Sequence, residues 1–216
     1  MFAEETRNRL SAAGVVPVVV INDVANAVPL ARALLAGGVK IIELTLRTAA
    51  GLDAIKAIAS EVPDMLVGAG TVLSTDQVRG VKAAGASFAV APGTNRTILA
   101  AAQEVDLPFA PGVMTPSDIE TALGMGCRIL KFFPAESAGG VKHLKTMAAP
   151  YAHLGVKFMP TGGIKAAQLA DYLAVPTVAA VGGSWLATGA QIDAGEWSSI
   201  TAQATAAMEV ANAARG

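Results

Sequence analysis

Eight short β-branched runs recur along this chain of 216 residues, each separated from the next by roughly one strand plus one helix. They are "VVPVVVI" (15–21), "KIIELTL" (40–46), "MLVGAGTV" (65–72), "SFAVAP" (87–92), "PFAPGV" (108–113), "CRILKFFP" (127–134), "VKFMPTGG" (156–163) and "TVAAVGGS" (177–184). Between them lie segments such as "NAVPLARALLAGG" (26–38) and "LDAIKAIASEV" (52–62), whose apolar residues return at helical spacing. A chain that alternates strand and helix builds a parallel sheet with helices packed outside it. Eight such units fit a single α/β domain over residues 1–216, a (β/α)8 TIM barrel, with an extra N-terminal helix near residues 2–12. A doubly wound sheet is the main rival. Its G-x-G-x-x-G turn does not follow the first run, where the sequence reads "NDVANA".

Composition narrows the partners. The chain is 53% hydrophobic and 15% charged, ample for a large core. Sixteen basic and seventeen acidic residues leave a net charge of −1, so nothing draws the bulk of the chain to nucleic acid. Cys127 is the only cysteine, which rules out an internal disulfide or a cysteine-built metal site. The opening "MFAEETRNRLSAAG" lacks the apolar core of a signal peptide, and no apolar stretch is long enough for a membrane span. The expectation is a cytoplasmic protein with a small-molecule partner.

Strand parity then separates two faces. In the second run Ile41, Glu43, Thr45 and Arg47 share one side, and Ile42, Leu44 and Leu46 the other. The all-apolar set belongs against the helices, which turns Glu43, Thr45 and Arg47 toward the axis and its mouth. In the sixth run Lys131 shares its side with Ile129 and Phe133. The other lysines fall on strand beginnings or helices; Lys131 alone sits deep in a strand's second half. A structural pair between Lys131 and Glu43 is one explanation. Such pairs stabilise no better than apolar replacements, so their presence asks for another reason.

Chemistry supplies one. An amine deprived of water gives up its proton more readily, and the free amine attacks ketones. The resulting iminium can accept the electrons of a breaking carbon–carbon bond. That step needs a base and an acid, which one carboxyl can serve in turn. Glu43 is the only carboxylate inside any of the strand-like runs. The two histidines, His143 and His153, form no metal-ligand pattern, so no metal and no cofactor is expected.

Two loops suit an anion. "PTGGI" (160–164) and "VGGSW" (181–185) end the seventh and eighth runs, where phosphate sites occur in barrels of this kind. Thr161, Gly162, Gly163, Gly183 and Ser184 are the candidates. Arg47 ends the second run and could hold a carboxylate, or Glu43 or Glu136. Phe133 and Pro92 are candidate pocket walls, and Glu136 in "PAE" suits a helix cap or a loop salt bridge as well as catalysis.

With "IIELTLRT" (41–48), "VGAGTV" (67–72), "KFFPAE" (131–136), "PTGGI" (160–164) and "GGSW" (182–185), the chain resembles the bacterial 2-keto-3-deoxy-6-phosphogluconate (KDPG) aldolases over residues 5–210. That resemblance implies a metal-independent class I aldolase, usually a homotrimer, that cleaves the phosphorylated 2-oxo acid to pyruvate and glyceraldehyde 3-phosphate. By the same resemblance Lys131 forms the Schiff base and Glu43 handles protons. Arg47 and Thr71 would bind the pyruvate carboxylate, and Thr161, Gly162, Gly163 and Ser184 the distal end. Some relatives also cleave 4-hydroxy-2-oxoglutarate. The alternatives are an aldolase for another 2-oxo acid such as the phosphogalactonate epimer, a phosphate-binding isomerase, and a non-enzymatic metabolite-binding barrel.

Overall fold

Each β-branched run becomes a strand whose two faces are both covered, which is why the runs are nearly continuous in apolar character. The computed structural model describes residue 2 and residues 4–215. Its strands are β1 (Val15–Val19), β2 (Ile41–Thr45), β3 (Leu66–Gly70), β4 (Phe88–Val90), β5 (Phe109–Ala110), β6 (Gly112–Val113), β7 (Ile129–Phe132), β8 (Lys157–Pro160) and β9 (Val181–Gly183). The helices are α1 (Glu4–Ala13), α2 (Ala27–Ala36), α3 (Gly51–Glu61), α4 (Thr75–Ala83), α5 (Arg96–Glu104), α6 (Pro116–Gly124), α7 (Gly140–Ala148), α8 (Leu169–Leu173), α9 (Gly189–Asp193) and α10 (Trp197–Ala213). All strand pairs are parallel.

The sheet is curled, but it is not one uninterrupted eight-stranded ladder, and here the structure departs from the expected barrel. Six strands run in the order β5-β4-β3-β2-β1-β9, and three more in the order β6-β7-β8. The fifth run is cut into β5 and β6 at Pro111, which has no N–H to give a ladder. Between β8 and the eighth run only isolated bridges form, at Phe158–Val178 and Thr161–Gly182. Phe158 N–H reaches Thr177 O at 2.7 Å and Ala179 N–H reaches Phe158 O at 2.8 Å. Beyond that point Ala179 and Ala180 both pack in the inner cluster, so the alternation slips by one residue. Opposite the slip stands Pro160, again without an N–H. The Ala179 carbonyl accepts from the Arg215 guanidinium instead.

Two apolar clusters follow from the parity. The larger lies between sheet and helices and holds Ile42, Leu44, Leu130 and Phe132. The smaller fills the concave side and holds Val16, Ile41, Leu66 and Ile129, with Leu10 and Ala13 of α1 packed into it. The extra helix is thus a plug at the amino-terminal end of the strands, which leaves the carboxyl end for ligands. The loops at that end are pinned by side-chain caps. Thr115 and Asp118 form a reciprocal capping box at the start of α6, and Asn95 caps α5. No helix among the described residues is long and apolar enough to cross a membrane.

Candidate active site

Glu43 enters the interior from the middle of β2, level with Val18 on one side and Gly68 on the other. Its carboxyl lies over Gly70, where a Cβ would run into Glu43 Oε1. Glycine at 70 is therefore what gives the carboxyl its room. Lys131 enters from β7, level with Gly112 and Met159, its backbone N–H held by Pro111 O at 2.8 Å. Across the interior Lys131 Nζ donates to Glu43 Oε1 at 2.8 Å. The two side chains are 6% and 0% exposed. Glu43 Oε2 has no hydrogen-bond donor among the described residues.

A buried pair of this kind is costly to assemble and costly to break. Removing one partner leaves an uncompensated charge at about 3–5 kcal/mol. The free oxygen is the more informative feature, because buried acceptors are nearly always satisfied. A buried carboxyl with one oxygen on an amine and the other without a donor can give or take a proton on a ligand held beside the pair. The amine has an aromatic neighbour: Nζ lies 5.7 Å from the centre of the Phe133 ring.

The remaining sequence candidates surround this pair unevenly. Thr45, which parity turned inward without a role, is buried and donates to Val19 O at 3.1 Å. Its hydroxyl also accepts from Arg47 Nε at 3.3 Å, so the exposed guanidinium is anchored to the rim. Arg47 makes no ion pair with Glu43 or Glu136 among the described residues. Thr71 follows β3 with φ of 60°, a left-handed backbone that β-branched residues rarely hold. Strain of that sort collects at ligand sites.

Thr161 is 5% exposed and continues the inner face of β8, beside Phe133, with its hydroxyl over Gly182. Gly162 and Gly163 follow with φ of 106° and 78°, a turn only glycine makes without strain. Ser184 is exposed just after β9. Gly183 differs: its missing side chain makes space for the Trp185 ring, so packing alone accounts for glycine there. Pro92 and Phe133 line one cleft at the mouth together with Gly93, Thr94, Met114 and Pro134.

Away from the pair, the site's edge carries a network the sequence did not announce. Glu136 accepts from the Tyr172 phenol at 2.5 Å and from the Gln168 amide at 2.7 Å. Burial, and then this contact with the carboxylate, push the Tyr172 phenol above its ordinary pKa, so it stays a donor. His143 lies on α7, its ring stacked on Phe132, and His153 in the turn before β8. Burial raises the Cys127 thiol to about 11, which marks an inert thiol ahead of β7. No cluster of three or more metal-ligating side chains occurs among the described residues.

Known proteins carry the same architecture. The family profile for KDPG and KHG aldolase matches residues 6–203. A 2-dehydro-3-deoxy-phosphogluconate aldolase of Dickeya dadantii is 48% identical, covering 94% of this chain and 95% of its own. A KHG/KDPG aldolase of Escherichia coli K12 is 47% identical over 93% of both chains. The crystal structure of KDPG aldolase from Legionella pneumophila, with pyruvate captured at low pH as a covalent carbinolamine intermediate, superposes with a TM-score of 0.88. It is 43% identical and covers 93% of this chain and 96% of its own. This chain belongs to the KDPG and KHG aldolase family.

Proposed function

We propose that this chain reversibly cleaves 2-dehydro-3-deoxy-6-phosphogluconate to pyruvate and D-glyceraldehyde 3-phosphate, and also cleaves 4-hydroxy-2-oxoglutarate to pyruvate and glyoxylate. The observation that carries the reading is the buried contact of 2.8 Å between Lys131 Nζ and Glu43 Oε1. Passing the ammonium proton across that hydrogen bond leaves a neutral amine beside a protonated carboxyl. The amine adds to the substrate ketone, and Glu43 protonates the departing hydroxyl so that water leaves and an iminium forms. Now a carboxylate, Glu43 takes the proton of the hydroxyl on the next-but-one carbon. The carbon–carbon bond breaks, its electrons flow into the iminium to give an enamine, and the aldehyde departs. Protonation and hydrolysis of the enamine release pyruvate and restore the amine.

In this reading Arg47 and Thr71 hold the carboxylate next to the ketone. Thr161, the Gly162–Gly163 turn, Gly183 and Ser184 receive the distal phosphate, with Gly183 contributing backbone alone. Phe133 and Pro92 keep water from the iminium. The two ladders act as one closed (β/α)8 barrel, and residues 1–216 form one domain. A homotrimeric assembly and a cytoplasmic location follow the family pattern. Light scattering on the purified protein tests the assembly.

Borohydride reduction in the presence of pyruvate, followed by peptide mass measurement, tests the covalent step. The expected adduct is on Lys131, and Lys131→Ala should lower turnover by at least about 10³-fold. An adduct on another lysine, with the Lys131→Ala protein still active, overturns the assignment. Kinetics with both C4 epimers test the substrate: faster cleavage of the phosphogalactonate epimer would replace the one named here.

A further inference from the structure

Glu136 takes no part in the cleavage derived above, yet both oxygens of its carboxylate are engaged at the edge of the mouth. It follows the lysine strand, and its N–H donates to Gly162 O at 3.0 Å while the preceding Ala135 N–H donates to Thr161 O at 2.8 Å. Its side chain runs beneath the next loop: a Cβ at Gly163 would come within 3.0 Å of Glu136 Cβ. Both carboxylate oxygens are then taken, Oε1 by the phenol of Tyr172 and Oε2 by the amide of Gln168. Gln168 uses its other end to accept from Lys165 N–H at 2.8 Å. One residue thus ties together the end of β7, the glycine turn after β8, the short turn that follows it, and α8. Tyr172 is fully buried, so its donor is fixed in place.

The glycines explain why such a tie is needed. Gly162 and Gly163, with φ of 106° and 78°, are free to take other conformations, and the same freedom lets their N–H groups turn away from a ligand. Phosphate recognition by backbone N–H groups depends on several of them converging on one point. A carboxylate this close to a bound dianion would also repel it unless its own charge were met by fixed donors, which the phenol and the amide supply.

We propose that Glu136 is a positioning residue for the phosphate end of the substrate, holding the Gly162–Gly163 turn in the shape that receives the phosphate through its bonds to Gly162, Gln168 and Tyr172. The proposal rests on the reading of that turn as the phosphate site. It separates Glu136 from a general structural role, because a brace for the whole mouth would affect every substrate alike. A brace for the phosphate turn affects only the aldehyde that carries a phosphate.

The test is condensation of pyruvate with D-glyceraldehyde 3-phosphate and, separately, with unphosphorylated D-glyceraldehyde, using wild type, Glu136→Gln and Tyr172→Phe. Each variant should raise KM for the phosphorylated aldehyde roughly tenfold, the size of one charged hydrogen bond. KM for D-glyceraldehyde and borohydride trapping of pyruvate on Lys131 should stay at wild-type levels. An equal rise for both aldehydes, or a change of less than about twofold for the phosphorylated one, overturns the proposal. If wild type itself shows no preference for the phosphorylated aldehyde, the phosphate reading falls first and the role of Glu136 falls with it.

Discussion

The two ends of the sheet's concave interior are built from opposite materials. At the amino-terminal end Val16, Ile41, Leu66 and Ile129 pack against Leu10 and Ala13 of α1, with no charged group among them. At the carboxyl end the inward positions hold Glu43, Lys131 and Thr161, while Gly70, Gly112 and Gly182 contribute no side chain at all. The first arrangement stabilises through burial, about 25 cal/mol per Å² of apolar surface. The second gives up that contribution to hold two ionisable groups within hydrogen-bond distance. The contrast assigns stability to one end and chemistry to the other, and each can be disturbed without the other.

The largest effect should come from Glu43→Gln. The amide cannot cycle a proton, so turnover should fall by about 10²–10⁴-fold while pyruvate is still trapped on the lysine in part, more slowly than in wild type; steady-state rates beside borohydride trapping check both halves. At the opposite end, Leu66→Ala should lower stability by about 2–5 kcal/mol and leave kcat of the folded protein unchanged. Urea unfolding together with kcat per folded molecule reads this, and a matching loss in kcat would erase the division between the ends.

Thr71→Gly sharpens the comparison from the mouth side. Relief of about 1–3 kcal/mol of left-handed strain outweighs the entropic cost of glycine, about 0.5–1 kcal/mol. Tm should therefore rise while KM for the 2-oxo acid worsens. The smallest effect belongs to the rim at Asp118. Burial raises its carboxyl, but bonds from Met114 N–H and from the hydroxyl and N–H of Thr115 outweigh it, and the folded pKa lies below the ordinary 3.8. A depressed carboxyl stabilises above its unfolded pKa and loses that contribution as pH falls through the folded value. Asp118→Asn should cost about 1 kcal/mol at neutral pH, and the Tm gap from wild type should close below about pH 4.

Much of this contrast could be read from the sequence, because it rests on periodicity. The alternation in β2 put Glu43 opposite the side of Ile42 and Leu44, and the larger apolar cluster holds Ile42 and Leu44 but not Ile41. The spacing of the eight runs gave the parallel strands. What the sequence hid depends on backbone chemistry or on distant partners. Pro111 lies inside the run "PFAPGV", and its missing N–H divides that run into two strands. Thr71 has the composition of a strand and the backbone of a turn. Glu136 finds Gln168 and Tyr172 more than thirty positions away, with no local pattern to foretell it.

The carboxyl of Glu43 occupies the volume that a methyl group at position 70 would claim. The third strand is therefore answerable to chemistry performed by the second. Position 70 offers no functional group, yet an alanine there would have to displace the proton carrier before it could be accommodated. Tolerance to change along this strand is set by what leans over it, and positions 43 and 70 can drift only as a pair.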